Sequence, residues 1–139
     1  MRTVLAHGTF DLLHIGHVKM FWKARTLGDL LVVTLTGDKF VNKGLGRPIY
    51  NEYERAEFIR SLRMIDLVEV IQDKSGLPAI EKYRPDVYCK GADYKFSDKH
   101  GALDVEREAV EKMGGQLVLL DHAGWSSSSI IERVRRMHE

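Results

Sequence analysis

The sequence of 139 residues contains one cysteine, three prolines and a net charge of only +1. A single thiol, that of Cys89, excludes an internal disulfide and does not form a zinc site by itself. A nearly neutral chain lacks the excess of positive charge that is typical of nucleic-acid-binding proteins. Its apolar runs are shorter than the ~20 residues of a transmembrane helix, and the N-terminal run is too short for a signal peptide. We therefore expect a cytoplasmic protein without nucleic-acid or membrane partners.

Apolar residues make up 44 % of the chain and charged residues 29 %, as in ordinary soluble domains. The length predicts a single domain over residues 1–139. Runs rich in β-branched residues alternate with segments of helical periodicity, which predicts an α/β Rossmann-like three-layer sandwich with a five-stranded parallel sheet. The predicted strands are Thr3–Ala6, Leu30–Thr36, Leu67–Ile71, Asp86–Lys90 and Gln116–Leu120, and the predicted helices are Val18–Leu27, Tyr53–Leu62, Ala102–Met113 and Ser129–Met137.

The strongest local signal follows the first predicted strand directly, as Gly8–Thr9–Phe10–Asp11 and then His14–Ile15–Gly16–His17. Gly8 allows a close approach of the backbone, and Gly16 leaves room for a ligand on the first turn of a helix. The two histidines share a helix face beside an N-terminus that attracts anions. Imidazole N–H groups there can stabilise the charge that builds on a transferring phosphoryl group. A metal site is the alternative, with Asp11 as the nearby third ligand.

A second signal is the run of four serines at Ser126–Ser129, directly before the apolar Ile130–Ile131. Serine is a good N-cap, and Ser128 or Ser129 followed by Glu132 resembles a capping box. Helix capping explains one of these serines but not all four. A third signal is a basic stretch that follows the second predicted strand. It has two interpretations, a cluster that binds phosphate and charged helix faces exposed to solvent. Its members are Lys39, Lys43, Arg47, Arg55, Arg60 and Arg63.

The histidine and serine motifs together resemble the two signatures of the cytidylyltransferase-like nucleotidyltransferase superfamily, and the resemblance covers nearly the whole chain. It implies a Rossmann-like fold and transfer of a nucleoside monophosphate from a nucleoside triphosphate to a phosphorylated small metabolite, with release of pyrophosphate. It also implies Mg²⁺ on the triphosphate, with no metal held by protein residues alone, and a homodimer. Trp22, Ile65 and Leu67 are candidates for the dimer interface, although core packing accounts for them equally well.

The resemblance also assigns roles to individual residues. The residues that it implies in catalysis are His14, His17, Lys43 and Arg63. The substrate phosphate falls to Arg55 and Asp11, although a structural cap on the His14 turn is an equal alternative for Asp11. The residues implied in nucleotide binding are Gly8, Thr9, Phe10, Gly16, Lys90, Asp93, Ser126, Ser127 and Ser128.

Two branches of this superfamily compete, and a function of another class stays open. The favoured branch is heptose-1-phosphate adenylyltransferase. The stretches that resemble it are Lys43–Gly44 with Arg47–Pro48, Pro85–Tyr94, and Glu111 with Gly114–Val118. The alternative is glycerol-3-phosphate cytidylyltransferase, whose members typically carry an arginine shortly before the serine cluster, where this chain has His122–Trp125. The third hypothesis is a nucleotide-binding regulatory module without catalysis. It is disfavoured because both histidines, the basic residues and the serine cluster are present.

Overall fold

The computed structural model describes residues 1–91, 101–122 and 124–138. Five strands form one parallel sheet in the order β3-β2-β1-β4-β5. Each coincides with a predicted strand to within two residues, so the expected α/β fold with a five-stranded parallel sheet is confirmed. The strands are β1 (Thr3–Gly8), β2 (Leu30–Thr36), β3 (Leu67–Ile71), β4 (Val87–Gly91) and β5 (Gln116–Leu120).

Helices connect the strands and cover both faces of the sheet. Four of them match predicted helices, with ends that differ by up to three residues. The fifth, Leu77–Tyr83, was not predicted, because seven residues amount to about two turns and show little periodicity. The helices are α1 (Ile15–Arg25), α2 (Glu52–Arg60), α3 (Leu77–Tyr83), α4 (Ala102–Lys112) and α5 (Ser127–Arg136). None of these described helices is long and apolar enough to span a lipid bilayer.

The alternation of side chains along β1 divides the core into two layers. Val4 and Ala6 pack with α1 and α2 on one face of the sheet. Leu5 packs with α3 and α4 on the other face, and His7, two residues further on, follows it. The central strand is therefore apolar on both faces until its last residues, where polar side chains begin.

The strand order positions the site. From β1 the chain winds outward through β2 to β3, then returns to the other side of β1 as β4 and ends with β5. The order reverses between β1 and β4, and open parallel sheets bind ligands outside the carboxyl ends of the strands at such a reversal. The histidine motif follows β1, so the topology places it at that crevice.

Candidate active site

A cavity of about 370 Å³ opens at the carboxyl ends of β1 and β4. Six of the residues predicted for catalysis or nucleotide binding line it, although they come from separate parts of the chain. These six are Gly8, Thr9, Phe10, His17, Lys43 and Lys90, and the other lining residues are His7, Met20, Asn42, Gly91 and His122. The fold thus brings together the motif after β1, the loop after β2 and the ends of β4 and β5.

His14 and His17 are held by the backbone at the start of α1. His14 is the N-cap of the helix, and its Nδ1 accepts the Gly16 N–H at 3.0 Å. The His14 N–H in turn donates to Nδ1 of His17 at 3.2 Å. Because each Nδ1 accepts a backbone N–H, the proton of each neutral ring lies on Nε2. Both imidazoles therefore present an N–H donor.

The surroundings keep these rings neutral. Burial, together with the nearby His14, His122 and Lys43, lowers the pKa of His17 to about 3. Burial and His122 also lower the pKa of His14. The ring centroids of His14 and His17 are 3.9 Å apart, and the His122 ring lies 5.3 Å from that of His17. At neutral pH the pair consists of hydrogen-bond donors rather than cations.

The Phe10 ring packs against His17. Phe10 is buried, and its ring meets the rings of His17 and Phe21 edge-on at centroid distances of 5.6 Å and 5.2 Å. A Cβ on Gly8 would approach the Phe10 ring at 3.0 Å, so glycine allows the ring to fold back against its own strand. Phe10 itself has a positive φ of 55°, a conformation that L-residues seldom adopt. This turn aims its ring at the histidine.

The two sequence motifs meet in space. The Ser127 hydroxyl donates to the Leu12 carbonyl at 2.5 Å, which ties the first turn of α5 to the segment before α1. A Cβ on Gly16 would lie 2.6 Å from the His122 carbonyl oxygen and 2.8 Å from Cβ of Trp125. The space over Gly16 is thus filled by the segment that leads into α5, and the expectation that it is open to a ligand is wrong. A backbone contact of Gly16 with nucleotide stays a prediction.

Helix α5 begins two residues earlier than expected, at Ser127 rather than Ser129. Ser126, not Ser128 or Ser129, is the N-cap, and its hydroxyl accepts the Ser129 N–H at 3.1 Å. The Ser129 hydroxyl donates back to the Ser126 carbonyl at 3.0 Å. Ser128 is exposed in the first turn. Since the first N–H groups of a helix have no partner within it, this turn can offer N–H groups to an anion beside those of α1.

Two lysines bring positive charge to the cavity from different directions. Lys43 is exposed at the rim, and its charge is one of the causes that lower the pKa of His17. Lys90 is buried at the end of β4 and forms an ion pair with Glu106 of α4, with Nζ and Oε1 3.6 Å apart. Burial, with a contribution from Lys90, lowers the pKa of His7 well below its ordinary value.

Asp11 lies outside the cavity and organises the loop after β2. It is buried and accepts the N–H groups of Ile49 and Tyr50 at 2.8 Å and 3.0 Å, and Nε of Arg47 at 2.9 Å. Burial raises its pKa, but the bonds from Ile49, Tyr50 and Arg47 outweigh that effect and leave the pKa below its ordinary value. Asp11 thus has a structural task, on this loop rather than on the His14 turn. Its contact with a substrate phosphate stays a prediction.

Arg55 is also turned inward. Its side chain is fully buried, and Nη1 donates to the carbonyls of Thr9 and Thr36, both at 2.8 Å. Nη2 donates to the Asp38 carboxylate at 2.7 Å, and Nε donates to the Tyr50 carbonyl at 2.9 Å. The guanidinium therefore ties α2 to the ends of β1 and β2 and holds the backbone of Thr9 at the cavity. Its contact with a substrate phosphate stays a prediction.

The sequence matches the family described as cytidylyltransferase-like over residues 5–133. The chain belongs to the cytidylyltransferase-like family. Membership places it in the nucleotidyltransferase class of enzymes and agrees with the two motifs that meet at Gly16. The chain is 42 % identical over 139 residues, or 98 % of its length, to the bifunctional protein HldE of Syntrophotalea carbinolica. It is 43 % identical over 136 residues, or 96 % of its length, to the bifunctional protein HldE of Citrifermentans bemidjiense.

These matches cover 27 % of each HldE protein, so the chain spans about a quarter of the length of these curated relatives. A solved structure of the lipopolysaccharide core biosynthesis protein from Thermoplasma volcanium superposes with a TM-score of 0.69 at 26 % identity, over 87 % of this chain and 95 % of that one. The TmcAL structure from Thermotoga maritima, bound with alpha-thio ATP, has a TM-score of 0.64 at 14 % identity, over 99 % of this chain and 51 % of that one, and shows the fold alone.

Not every residue predicted for this cytidylyltransferase-like site is near the cavity. The exposed Arg63 lies with its guanidinium carbon 5.6 Å from the ring centroid of Trp22. Trp22 follows His17 by five residues of α1, about 7.5 Å along the helix axis, and Arg63 precedes the amino end of β3. The structure therefore does not bring Arg63 together with the histidines. Asp93 lies outside the described residues.

His7 and His122 line the cavity but were not predicted as site residues. His7 stands inside a strand, where its sequence neighbours indicate only burial, and His122 precedes the serine cluster without any recognisable spacing. The only available signal was their position shortly after predicted strands, since His7 follows Thr3–Ala6 and His122 follows Gln116–Leu120. Within residues 1–91, 101–122 and 124–138, no group of three or more histidine, cysteine, aspartate or glutamate side chains is arranged to hold a metal ion.

Proposed function

We propose that the chain transfers a nucleoside monophosphate from a nucleoside triphosphate, ATP in preference to CTP, to a sugar phosphate of the heptose 1-phosphate type, and releases pyrophosphate. The observation that carries this proposal is the pair of Nε2–H donors of His14 and His17 at the start of α1. It is supported by membership in the cytidylyltransferase-like family and by the similarity to bifunctional proteins named HldE.

A triphosphate fits the junction of the two helix starts. The starts of α1 and α5, where N–H groups and the positive ends of the helix dipoles lie, are close together, because Ser127 is hydrogen-bonded to Leu12. Lys43 adds a positive charge at the rim. An anion with several phosphates can contact both helix starts at once, whereas a single phosphate engages one of them.

The mechanism that follows is in-line displacement at the α-phosphorus. A phosphate oxygen of the acceptor forms a bond to this phosphorus. The bond to the oxygen that bridges to the β-phosphorus breaks, and pyrophosphate leaves with the electron pair. The acceptor phosphate is already ionised at neutral pH, so the reaction needs no general base. The Nε2–H groups of His14 and His17 bind the phosphate oxygens more strongly as negative charge grows on them, which lowers the barrier.

Mg²⁺ on the triphosphate is part of the proposal. Asp11 is the carboxylate next to the histidine motif, and its two oxygens already accept bonds from Ile49, Tyr50 and Arg47. Because these bonds occupy its oxygens, Asp11 is not proposed as a metal ligand, and the ion would be held by phosphate oxygens and water, as Mg²⁺ commonly is. When bound, Mg²⁺ would neutralise part of the triphosphate charge.

The adenylyl branch is supported by the relatives and by the segment before α5. The identity of 42 % to an HldE protein extends over stretches that resemble heptose-1-phosphate adenylyltransferases. In the position where glycerol-3-phosphate cytidylyltransferases typically carry an arginine, this chain has His122–Trp125, and both His122 and Trp125 lie over Gly16. This packing gives His122 and Trp125 a role in closing the space between the starts of α1 and α5.

We also propose that the protein is a homodimer in solution. Trp22 and Leu67 are 42 % and 43 % exposed, which is high for large apolar side chains and supports an apolar interface near α1 and β3. Ile65, the third interface candidate, packs partly against the core instead. Sedimentation equilibrium of wild type and of Trp22→Glu tests this, with a monomer expected for the variant. A monomeric wild type would contradict the proposal.

A pyrophosphate-release screen tests the reaction. It pairs ATP and CTP, each with Mg²⁺, with heptose 1-phosphate, glycerol 3-phosphate and related sugar phosphates. We expect release with ATP and a heptose 1-phosphate. His17→Ala should lower kcat/KM by about 100-fold or more, while His138→Ala, an exposed histidine after α5, should leave it unchanged.

Each other outcome selects a competing hypothesis. Release with CTP but not with ATP would overturn the adenylyl branch in favour of a cytidylyltransferase. Nucleotide binding without release from any pair would indicate a regulatory module. Undiminished release by His17→Ala would overturn the mechanism.

A further inference from the structure

A second polar cluster lies on the side of the cavity opposite α1, on the face of the sheet covered by α3 and α4. Its centre is Oε1 of Glu106. This oxygen accepts the Tyr88 hydroxyl at 2.6 Å and the Gly76 N–H at 3.0 Å, and it lies 3.6 Å from Nζ of Lys90. We call Gly76, Tyr88, Lys90 and Glu106 the Glu106 cluster.

Fold stability does not explain this cluster. Glu106 is 1 % exposed and Lys90 is 4 % exposed, and withdrawing both charges from water costs more than their attraction commonly returns. Apolar residues of similar volume would serve a core at least as well. Lys90 also lines the cavity with His17 and Lys43. Lys90 is therefore placed where it can contact a ligand in the cavity, with Glu106 directly behind it.

The geometry makes Glu106 the fixed member of the pair. Two neutral donors hold its Oε1, one from β4 and one from the backbone just before α3. The separation of 3.6 Å between Oε1 and the Lys90 ammonium exceeds the range of about 2.7–2.9 Å typical of charge-assisted hydrogen bonds. Attraction between the charges thus draws the ammonium toward Glu106 without a tight bond to it.

Gly76 provides the space for this arrangement. A Cβ at this position would lie 2.3 Å from the Tyr88 hydroxyl oxygen, 2.6 Å from Oε1 of Glu106 and 3.1 Å from Cδ2 of His7. A glycine before α3 therefore lets the carboxylate reach the backbone N–H.

His7 adds no positive charge to this side of the cavity. Its Nδ1 is 2.8 Å from the Thr34 hydroxyl oxygen, and burial together with the Lys90 charge keeps its pKa well below the ordinary value. The ammonium of Lys90 therefore supplies the positive charge here.

We propose that Glu106 is a positioning residue for nucleotidyl transfer, which holds the Lys90 ammonium in place to bind an anionic oxygen of the triphosphate. The proposal rests on the proposed function and deepens it. It assigns a task in the reaction to a residue of α4 that lies behind the cavity wall. Glu106 acts through Lys90 and does not touch the substrate.

The test compares variants that separate charge from shape. Glu106→Gln can still accept bonds from Tyr88 and Gly76 but has no charge, and we expect its kcat/KM for pyrophosphate release to fall by about tenfold or more. Tyr88→Phe is the matched control, because it removes a bond to the same oxygen and leaves the charge, and a loss of about threefold or less is expected. Glu106→Asp keeps the charge and should recover most of the activity lost in Glu106→Gln.

A double-variant comparison shows whether Glu106 acts through Lys90. In a Lys90→Gln background, Glu106→Gln should cause little further loss, because its target is already absent. Thermal unfolding of every variant confirms that folded proteins are compared. If Glu106→Gln does not fold, Glu106→Asp and Tyr88→Phe still test the proposal, since a Tyr88→Phe loss larger than that of Glu106→Asp would contradict it.

Calorimetric binding of inorganic pyrophosphate separates this inference from the proposed function. We expect Glu106→Gln to weaken pyrophosphate binding by about tenfold, whether or not a sugar phosphate is turned over. Wild type that binds pyrophosphate but releases none from any substrate pair would refute the proposed function alone. Wild-type affinity and activity in Glu106→Gln, or an equal further loss in the Lys90→Gln background, would refute the positioning role.

Discussion

The protonation of His17 offers a test of the site that requires no substrate. The imidazole has a pKa of about 3 in the folded protein, against an ordinary value of 6.5. Between these two values the unfolded chain binds a proton that the native protein does not bind. The free energy of unfolding therefore falls as pH is lowered through 6.5 toward 3.

The size of the effect follows from the two pKa values. From about pH 7.5 to about pH 5, a group that titrates at 6.5 when unfolded and near 3 when folded lowers the free energy of unfolding by about 2 kcal/mol. Most of that loss occurs below pH 6.5. Since His17 is buried, solvent screening reduces this figure little.

The assay is urea unfolding, followed by tryptophan fluorescence at several pH values in buffers without phosphate or sulfate, which would bind at the helix starts. His17→Gln is the comparison, because its side-chain oxygen can accept the His14 N–H and it carries no titratable group. We expect wild type to lose about 2 kcal/mol more than His17→Gln between about pH 7.5 and about pH 5. His7 and His14 titrate in both proteins, so the difference reports on His17.

The control is His138→Gln, which replaces an exposed histidine in the turn after α5. Its pH dependence should match that of wild type. Equal slopes for wild type and His17→Gln would refute the argument, because they would mean that His17 protonates as readily in the folded protein as in the unfolded chain.

Two further predictions concern the junction and the loop that shape the cavity. Gly16→Ala places a Cβ 2.6 Å from the His122 carbonyl oxygen. Because this displaces the two helix starts, kcat/KM for pyrophosphate release should fall by about 100-fold. The change in the free energy of unfolding should stay within about 2 kcal/mol, because alanine also favours the helix. Wild-type kinetics in this variant would contradict the importance of the junction. Asp11→Ala should lower the free energy of unfolding by about 3 kcal/mol or more in urea titrations, since it leaves Arg47 without its buried partner. A stable variant with weakened acceptor binding would instead support the substrate role of Asp11.

Much of the framework was predictable because its signals are local. The strands are short apolar runs such as Leu30–Thr36, and their composition alone marks them as strands. The histidine motif and the serine run are also local, since each consists of neighbouring residues at the start of one helix. The seven-residue α3 was missed because a segment of that length shows too little periodicity to stand out.

The roles of charged residues were harder to predict. Arg55 lies in the same basic stretch as Lys43, yet its guanidinium is fully buried among carbonyls whereas Lys43 is exposed at the cavity rim. Asp11 resembles a substrate or metal ligand in the sequence, but its oxygens bind a loop 36 to 39 residues away. A residue type and its spacing do not reveal whether a side chain turns inward.

The sequence by itself determined the fold class, the order of the five strands and of four helices, and the two motifs that begin α1 and α5, because each is marked by a pattern among residues close together in the chain. Only the tertiary structure decided that the motifs meet over Gly16, that His7 and His122 join the cavity, and that Glu106 stands behind Lys90. These contacts join segments far apart in the chain. Their existence depends on how the sheet and helices pack, and no local pattern records it.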